Sequence, residues 1–563
     1  MTAEKATDFR SGEIGFIRRS LGGRIGFALA YPNLYRVGMS NLGIHILYKL
    51  LNGRDDTVCE RVFWPGERAK GGETLKTLES GSPLNRFDLI GFAVSFEMDY
   101  WHILQMLSQG KVALVARERT DFDPVVIAGG PCATFNPEPL ADFFDAFIIG
   151  EGEAIMPSFM ETYGRCKSGG LRRREILSAL AEVPGVYVPS LYEPHYDEAG
   201  LIAKITPTEN APPAVRRLWV RDLDAYPAHT EVVTDAAHFD LYLIETARGC
   251  GRHCRFCMAG YAFRPPRSRS LEALKPQIDA SKRFGKRLGL MGAAISDHPK
   301  IDEICAYILS QGLTMSVASF RADSVTETLV NALAESGQKT LTMAPEAGSE
   351  RMRAVINKRI EERHLFQTLE LGLKAGIRNY RLYFMIGLPY ETTADAEAIA
   401  DLSVRLHEFM RERRGGKLTL SINPFVPKPF TPFQWQPMAD KKAVNRALKI
   451  IRQRLKHLPQ VEIIAESLKE AYVQAALARG DRRLGRVLLA SGGAKDFWSA
   501  LGECGLKADD YLYRLREPSE VFPWDIIDIG VSRDYLRSEA EKAEKLAATV
   551  PCFDGCRRCG VCD

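Results

Sequence analysis

Cys250, Cys254 and Cys257 stand in the run RGCGRHCRFC with the spacing C-x3-C-x2-C, and no other residues of this 563-residue chain are better placed to do chemistry. Three thiolates on one short loop are soft, anionic ligands that suit iron–sulfur clusters or zinc. A [4Fe–4S] cluster takes four ligands. Three cysteines therefore leave one iron open, and an open iron is useful only if another molecule binds it. The competing readings are a zinc knuckle one ligand short and three reduced structural thiols.

A second cysteine group closes the chain. Cys552, Cys556, Cys559 and Cys562 follow as C-x3-C-x2-C-x2-C in the tail CFDGCRRCGVCD. Four thiolates suffice for a closed cluster, and the Cys556-x2-Cys559 pair suits zinc equally well. The remaining five of the twelve cysteines are scattered and read as small apolar fillers. The N-terminus has no apolar stretch to act as a signal peptide, and no apolar run approaches the ~20 residues needed to span a bilayer. The expectation is a cytoplasmic protein in a reducing compartment, with no membrane partner. A net charge of +4 argues neither for nor against nucleic acid.

These residues need a scaffold. The predicted fold class is α/β, with a doubly wound parallel sheet in residues 1–190, a linker over 191–240, a partial (β/α)6 barrel over 241–435 and a mainly helical extension over 436–563. In the first region, strand-like runs Ile25–Ala30, Leu89–Phe96, Val125–Ala128 and Phe147–Ile149 alternate with amphipathic helices. Two of these strands end in Gly129-Gly130 and in Gly150-Glu151-Gly152, where glycine lets backbone approach a ligand at the carboxyl edge of a parallel sheet. In the second region, strands near 241–246, 288–291, 313–319, 339–343, 380–386 and 418–423 are separated by helices. The cysteine triad falls in the loop after the first of these, at the end of the barrel where active sites are built.

With Phe256 before the third cysteine, the triad takes the form C-x3-C-x-aromatic-C and resembles the radical SAM superfamily. The resemblance implies that S-adenosylmethionine (SAM) binds the open iron through its amino and carboxylate groups. Reductive cleavage would then give methionine and a 5′-deoxyadenosyl radical, which abstracts hydrogen from an unactivated carbon. It further places SAM contacts on Gly292 and Ala293 in GLMGAA, on Glu346 and Ser349 in MAPEAGS, and on Ile386 and Gly387 in FMIGLP. The segments IAGGPCATFNPEPLADFFDAFIIGEGEAI and FDLIGFAVSFEMDYWHILQML resemble the cobalamin-binding-type domain that precedes many such barrels. Gly129, Gly130, Gly150 and Gly152 would face that cofactor. The D-x-H-x-x-G motif of a histidine axial ligand is not found, and His45 and His102 read as satisfied polar side chains on helices.

The resemblance as a whole implies cobalamin-assisted methyl transfer or rearrangement, a second [4Fe–4S] cluster or zinc on the tail cysteines, and a reductant such as flavodoxin or ferredoxin. Arg248, Arg252, Arg255, Arg264, Arg267 and Arg269 crowd the cluster loop, where they would tune the cluster, hold an anion or face solvent. Lys441–Leu458 reads as an amphipathic helix with a cationic face, continued by Arg479, Arg482, Arg483 and Arg486. An RNA substrate is the functional reading of that stripe and a solvated helix face the plain one. A methylthiotransferase-like enzyme acting on RNA or protein is a competing class and would need three more thiolates, for which Cys59, Cys132 and Cys166 are the candidates. A redox sensor or electron carrier is another, but it has no use for the SAM motifs.

Overall fold

The computed structural model describes residues 12–67, 74–208 and 211–562. Its first sheet contains β1 (Ile25–Tyr31), β2 (Thr57–Phe63), β3 (Leu89–Ala93), β4 (Val125–Gly129), β5 (Ala146–Ile148) and β6 (Val186–Tyr187). The order is β2-β1-β3-β4-β5-β6, parallel throughout except for β6. Every residue of β1 and β2 is buried, as expected of strands covered by helices on both faces. Strand order reverses between β1 and β3, so their carboxyl ends part to form the crevice where such sheets hold ligands.

The second unit contains β7 (Leu241–Glu245), β8 (Arg287–Met291), β9 (Met315–Val317), β10 (Thr340–Glu346), β11 (Asn379–Ile386), β12 (Leu418–Pro424) and β13 (Val461–Ala465). Strands β7–β9 form one parallel sheet and β10–β13 another, joined by a parallel bridge between Phe320 and Met343. Strands β7 and β13 are not paired, so the barrel is partial. Burial alternates along β11. Tyr380, Leu382, Phe384 and Ile386 pack into the barrel core, while Arg381, Tyr383 and Met385 lie on the opposite, more open face.

Two expectations change here. Thr57–Phe63 is a strand that its central Glu60-Arg61 pair hides, because both charges are buried and paired. Arg61 bonds Glu13 and Glu79 at 2.7 Å, and Glu60 accepts from Thr77 and Ser80. The barrel also does not end at 435. Helix Lys441–Leu455 buries Val444, Leu448, Ile451 and Leu455 in the barrel core and leads to the seventh strand, β13.

Beyond β13, helix Leu468–Arg479 packs against the Glu97–Asp99 turn that follows β3. Asn136 donates to the carbonyls of Ala478 and Gly480, and Trp101 donates to Ser491 at 3.0 Å. The C-terminal helices share one hydrophobic core with that sheet, and the barrel has its own. The linker is likewise tied in, since Val215–Arg216 pairs with Ile527–Asp528. No helix among the described residues is long and apolar enough to cross a membrane.

Candidate active site

The loop after β7 carries the cysteine triad between two short strands, Ala247–Arg248 and Arg267–Ser268, which pair antiparallel and close its neck. Cys254 is buried, and Cys250 and Cys257 are half-buried. Burial, then the proximity of Cys254, pushes the Cys250 thiol up, and burial with both neighbouring cysteines pushes Cys257 up to about 12. Burial and close neighbours thus disfavour the thiolates of Cys250 and Cys257, and iron binding would reverse that. Among the described residues, no three His, Cys, Asp or Glu side chains converge closely enough for a single metal ion. A [4Fe–4S] cluster spaces its ligands more widely, with each thiolate on a different iron.

Two cations flank the triad, and sequence reasoning missed both. Arg321 NH1 lies 3.8 Å from Cys254 Sγ, and the same guanidinium is held by Asp323 at 2.9 Å and by the Lys358 carbonyl at 2.7 Å. Lys358 is buried, with Nζ 3.0 Å from Glu346 and 6.0 Å from the centre of the Phe256 ring. Glu346 sits at φ +66° beside a register shift in β10, the kind of irregularity that re-aims a side chain. His253, Asn357, Arg359, Tyr390 and Phe430 share its positive φ and fall in loops at the same end of the barrel. Backbone held in that region by non-glycine residues costs about 1–3 kcal/mol each and collects at functional sites.

The other expected SAM contacts divide. Gly292 and Ala293 are exposed at the end of β8, beside Met291. Gly387 has φ +77°, and its N–H donates to Glu391 at 3.0 Å. Ile386 is 1% exposed in the barrel core, facing away from the open side of β11. Ser349 caps helix Glu350–Val355 by accepting from Met352 N, and it donates to Asp395 at 2.6 Å. Its hydroxyl is committed to the protein, so Ile386 and Ser349 are not placed to touch SAM.

The six arginines of the loop neither crowd a ligand nor face solvent. Arg248 bonds Glu151, Glu153 and Glu245 at 2.8–2.9 Å. Arg267 bonds Glu151 at 2.6 Å, and Arg269 bonds Glu245 at 2.6 Å. Arg252 pairs with Asp297 and Asp323. Arg255 is spent on the carbonyls of Ala354, Val355 and Ala547, and Arg264 on the Gly260 carbonyl and His253. The Gly150–Glu153 turn after β5 is thus an acidic latch on the cluster loop. After β3, Glu97 in turn pairs with Lys428 from the loop after β12. The carboxyl edges of the two parallel sheets therefore face each other.

This arrangement reassigns the four glycines expected at a cofactor. A Cβ on Gly130 would lie 2.8 Å from the Val94 carbonyl, one on Gly150 2.1 Å from the Leu218 carbonyl, and one on Gly152 2.6 Å from the Leu47 side chain. A Cβ on Gly129 would meet only Ile148, at an ordinary 3.6 Å. Their need for glycine, where there is one, comes from the chain itself. The open part of that edge is the β1/β3 crevice, where Asn33 bonds Asp99 at 2.9 Å, Asn41 reaches Ser95, and Phe96 is 44% exposed. His45 is buried between the Met39 carbonyl and the amides of Glu231 and Val232, and His102 stacks on Trp64. Cys59, Cys132 and Cys166 lie buried on separate elements, which removes the ligand set of a methylthiotransferase-like second cluster.

The tail cysteines dock behind the cluster loop. Cys552 N donates to the Gly251 carbonyl at 2.8 Å, and its Sγ lies 3.3 Å from His253 Nε2. Cys556 and Cys559 are buried, Cys556 accepts from Arg558 Nε at 3.2 Å, and Cys562 is exposed. The cationic stripe breaks up further on. Arg479 is buried on backbone carbonyls, Arg482 pairs with Glu138 and Arg483 with Asp481.

Residues 43–189 match the family model for the N-terminal region of radical SAM proteins, and residues 244–403 match the radical SAM superfamily model. The chain is 30% identical over 494 residues to an uncharacterized protein of Methanocaldococcus jannaschii, covering 87% of this chain and 96% of that one. It is 25% identical over 297 residues to an uncharacterized methyltransferase of Pyrococcus horikoshii, covering 50% of this chain and 58% of the relative. Among solved structures, the radical SAM methyltransferase TsrM of Kitasatospora setae, with cobalamin and a [4Fe–4S] cluster bound, superposes with a TM-score of 0.48 at 13% identity, covering 93% of this chain and 99% of TsrM. A three-cysteine loop at the mouth of a partial parallel barrel, inside a region that the superfamily model matches, makes this chain a member of the radical SAM superfamily.

Proposed function

We propose that Cys250, Cys254 and Cys257 hold the [4Fe–4S] cluster at which this radical SAM enzyme cleaves SAM, and that its substrate lies between the two facing sheet edges. When bound, the cluster supplies one electron at low potential to the sulfonium bond. The observation that carries the assignment is the Lys358–Glu346 pair beside the three thiols. Lys358 offers a buried cation to the SAM carboxylate, and Glu346 an acceptor to its ammonium or ribose hydroxyls. Arg321, directed at Cys254, offsets thiolate charge. The exposed backbone at Gly292 and Ala293 leaves room for the rest of the molecule.

For the reaction class we propose methyl transfer at an unactivated carbon, supported by the name of the Pyrococcus relative. A corrin as methyl carrier is favoured by one observation, the β1/β3 crevice facing the barrel mouth. Asn41 and Ser95 would hold it there, and it would supply a methyl group in a form that a carbon radical can accept. The tail cysteines are proposed to carry a second [4Fe–4S] cluster, fed by a flavodoxin- or ferredoxin-type reductant. Their place directly behind the cluster loop suits that role.

The test is anaerobic reconstitution with iron and sulfide, followed by SAM and dithionite. 5′-Deoxyadenosine is expected from the full chain and not from the variant with all three cysteines changed to alanine. An iron-loaded protein that yields no more than that variant overturns the proposal. Cobalamin absorbance retained on the desalted protein decides the corrin.

A further inference from the structure

His253 lies between the two cysteine groups and is 0% exposed. Its ring has three polar neighbours. Arg264 NH2 and Tyr535 Oη each lie 2.5 Å from Nδ1, and Cys552 Sγ lies 3.3 Å from Nε2. A guanidinium can only donate, so Nδ1 must accept, and the proton of the neutral ring is on Nε2. That N–H points at the Cys552 sulfur. The residue is held there from both sides, because Asn357 Nδ2 donates to the His253 carbonyl and also to the carbonyl of Thr549 in the tail, at 3.1 Å each. His253 adopts φ +57° and directly precedes Cys254. A Cβ on neighbouring Gly251 would lie 3.0 Å from Cys552 Cβ, so the tail seats against this loop with no space to spare.

We infer that His253 is a positioning residue for a second iron–sulfur centre on Cys552, Cys556, Cys559 and Cys562, donating its Nε2–H to the Cys552 thiolate and setting that centre's reduction potential. The inference rests on the second cluster proposed above. Hydrogen bonds to cluster sulfurs are one of the levers that fix such potentials, and a donor stabilises the more negative, reduced state. Arg264 and Tyr535 make the donor obligatory by holding Nδ1 as an acceptor.

The experiment uses the full chain with Cys250, Cys254 and Cys257 changed to alanine, so that only the tail centre remains, reconstituted with iron and sulfide. About four irons per chain are expected. A chain that takes up zinc and no cluster overturns both the second cluster and this inference. A chain that builds the cluster tests His253 alone. With 15N-histidine, pulsed EPR of the reduced centre should show a weak imidazole coupling, and its absence overturns the inference without any change at position 253. In His253→Leu the coupling should vanish and the reduction equilibrium fall about tenfold, ~59 mV for one electron. His253→Gln, which keeps an N–H, should recover part of that shift. An unchanged midpoint in His253→Leu at full iron content refutes the role.

Discussion

Changing Glu151 to Gln should loosen the grip of the N-terminal sheet on the cluster loop. The Glu151 carboxylate is 5% exposed and accepts from Arg248 at 2.9 Å, from Arg267 at 2.6 and 3.0 Å, and from Val220 N at 2.9 Å. Glutamine keeps the volume, removes the charge and turns one oxygen into a donor facing a guanidinium. Breaking a buried pair by removing one partner costs about 3–5 kcal/mol. Arg248 keeps Glu153 and Glu245, and Arg267 keeps two backbone carbonyls, so the low end applies. About 3 kcal/mol is roughly a hundredfold in the opening equilibrium of this contact. Native-state hydrogen exchange across 215–220 and 247–268 should rise by that factor, with β10–β12 as the internal control. Glu151→Asp, which keeps the charge, should rise far less. Burial alone would raise the Glu151 pKa, but its bonds to Arg267 and the charges of Arg248 and Arg267 bring it below its ordinary 4.5. A lowered acid stabilises the fold above its ordinary value and loses that contribution as pH falls through the lowered one. The wild-type latch should therefore weaken below about pH 4, and the Gln variant should lack that acid-dependent step. Exchange within threefold of wild type at neutral pH, with the control unchanged, would refute the latch.

Three further outcomes are expected. Lys358→Met should weaken anaerobic SAM binding about 10- to 150-fold, the worth of a charge-assisted hydrogen bond of about 1.5–3 kcal/mol, while iron content stays at the wild-type level; unchanged affinity would remove Lys358 from the SAM site. Burial pushes Glu391 up to about 7 against the opposing bonds from the amides of Gly387 and Leu388. A raised acid stabilises the fold below its ordinary value and loses that contribution as pH rises through the raised one. Protection of those two amides should therefore fall between about pH 5 and 8, and Glu391→Gln should flatten the profile; a pH-independent wild type would contradict this. Ser349→Ala should cost about 1 kcal/mol of stability as a lost helix cap and leave SAM affinity unchanged, whereas a SAM-binding defect would return the hydroxyl to the ligand site.

The parts of the fold legible in the sequence were those where period and burial agree. Ile25–Tyr31 and Val125–Gly129 are apolar runs buried throughout or nearly so, and they read directly as strands. Thr57–Phe63 did not, because buried Glu60 and Arg61 mimic a solvent face until their partners Glu13, Glu79, Thr77 and Ser80 are seen. Val461–Ala465 is short and only half-buried, so nothing local distinguishes it from a loop. Cys250, Cys254 and Cys257 are local in sequence, and their spacing alone singles them out. Lys358 and Arg321 are not marked in that way, because they meet a loop some seventy to a hundred residues earlier in the chain. Glycine misled in the opposite direction. It marks close backbone approach, but Gly130 and Gly150 approach Val94 and Leu218 of the same chain, and sequence cannot tell such a neighbour from a ligand.

The loop that carries Cys250, Cys254 and Cys257 is held by three separate parts of the chain. In front, Glu151 and Glu153 from the N-terminal sheet clamp Arg248 and Arg267 at its neck. Beside it, Asn357 ties the His253 carbonyl to the carbonyl of Thr549, while Arg255, 0% exposed, joins the helix end at Ala354–Val355 to the tail at Ala547. Behind, Cys552 bonds the backbone between the first two cluster cysteines. A cluster that must meet SAM in one orientation and exclude water gains from a loop that cannot shift. Each clamp is a buried charge or amide, whose loss is costly, rather than an apolar contact that could repack. The N-terminal sheet is thereby mechanically coupled to the three-cysteine loop, and so is the tail. Uncoupling either one should be felt at the cluster as a change in SAM geometry before it is felt as unfolding.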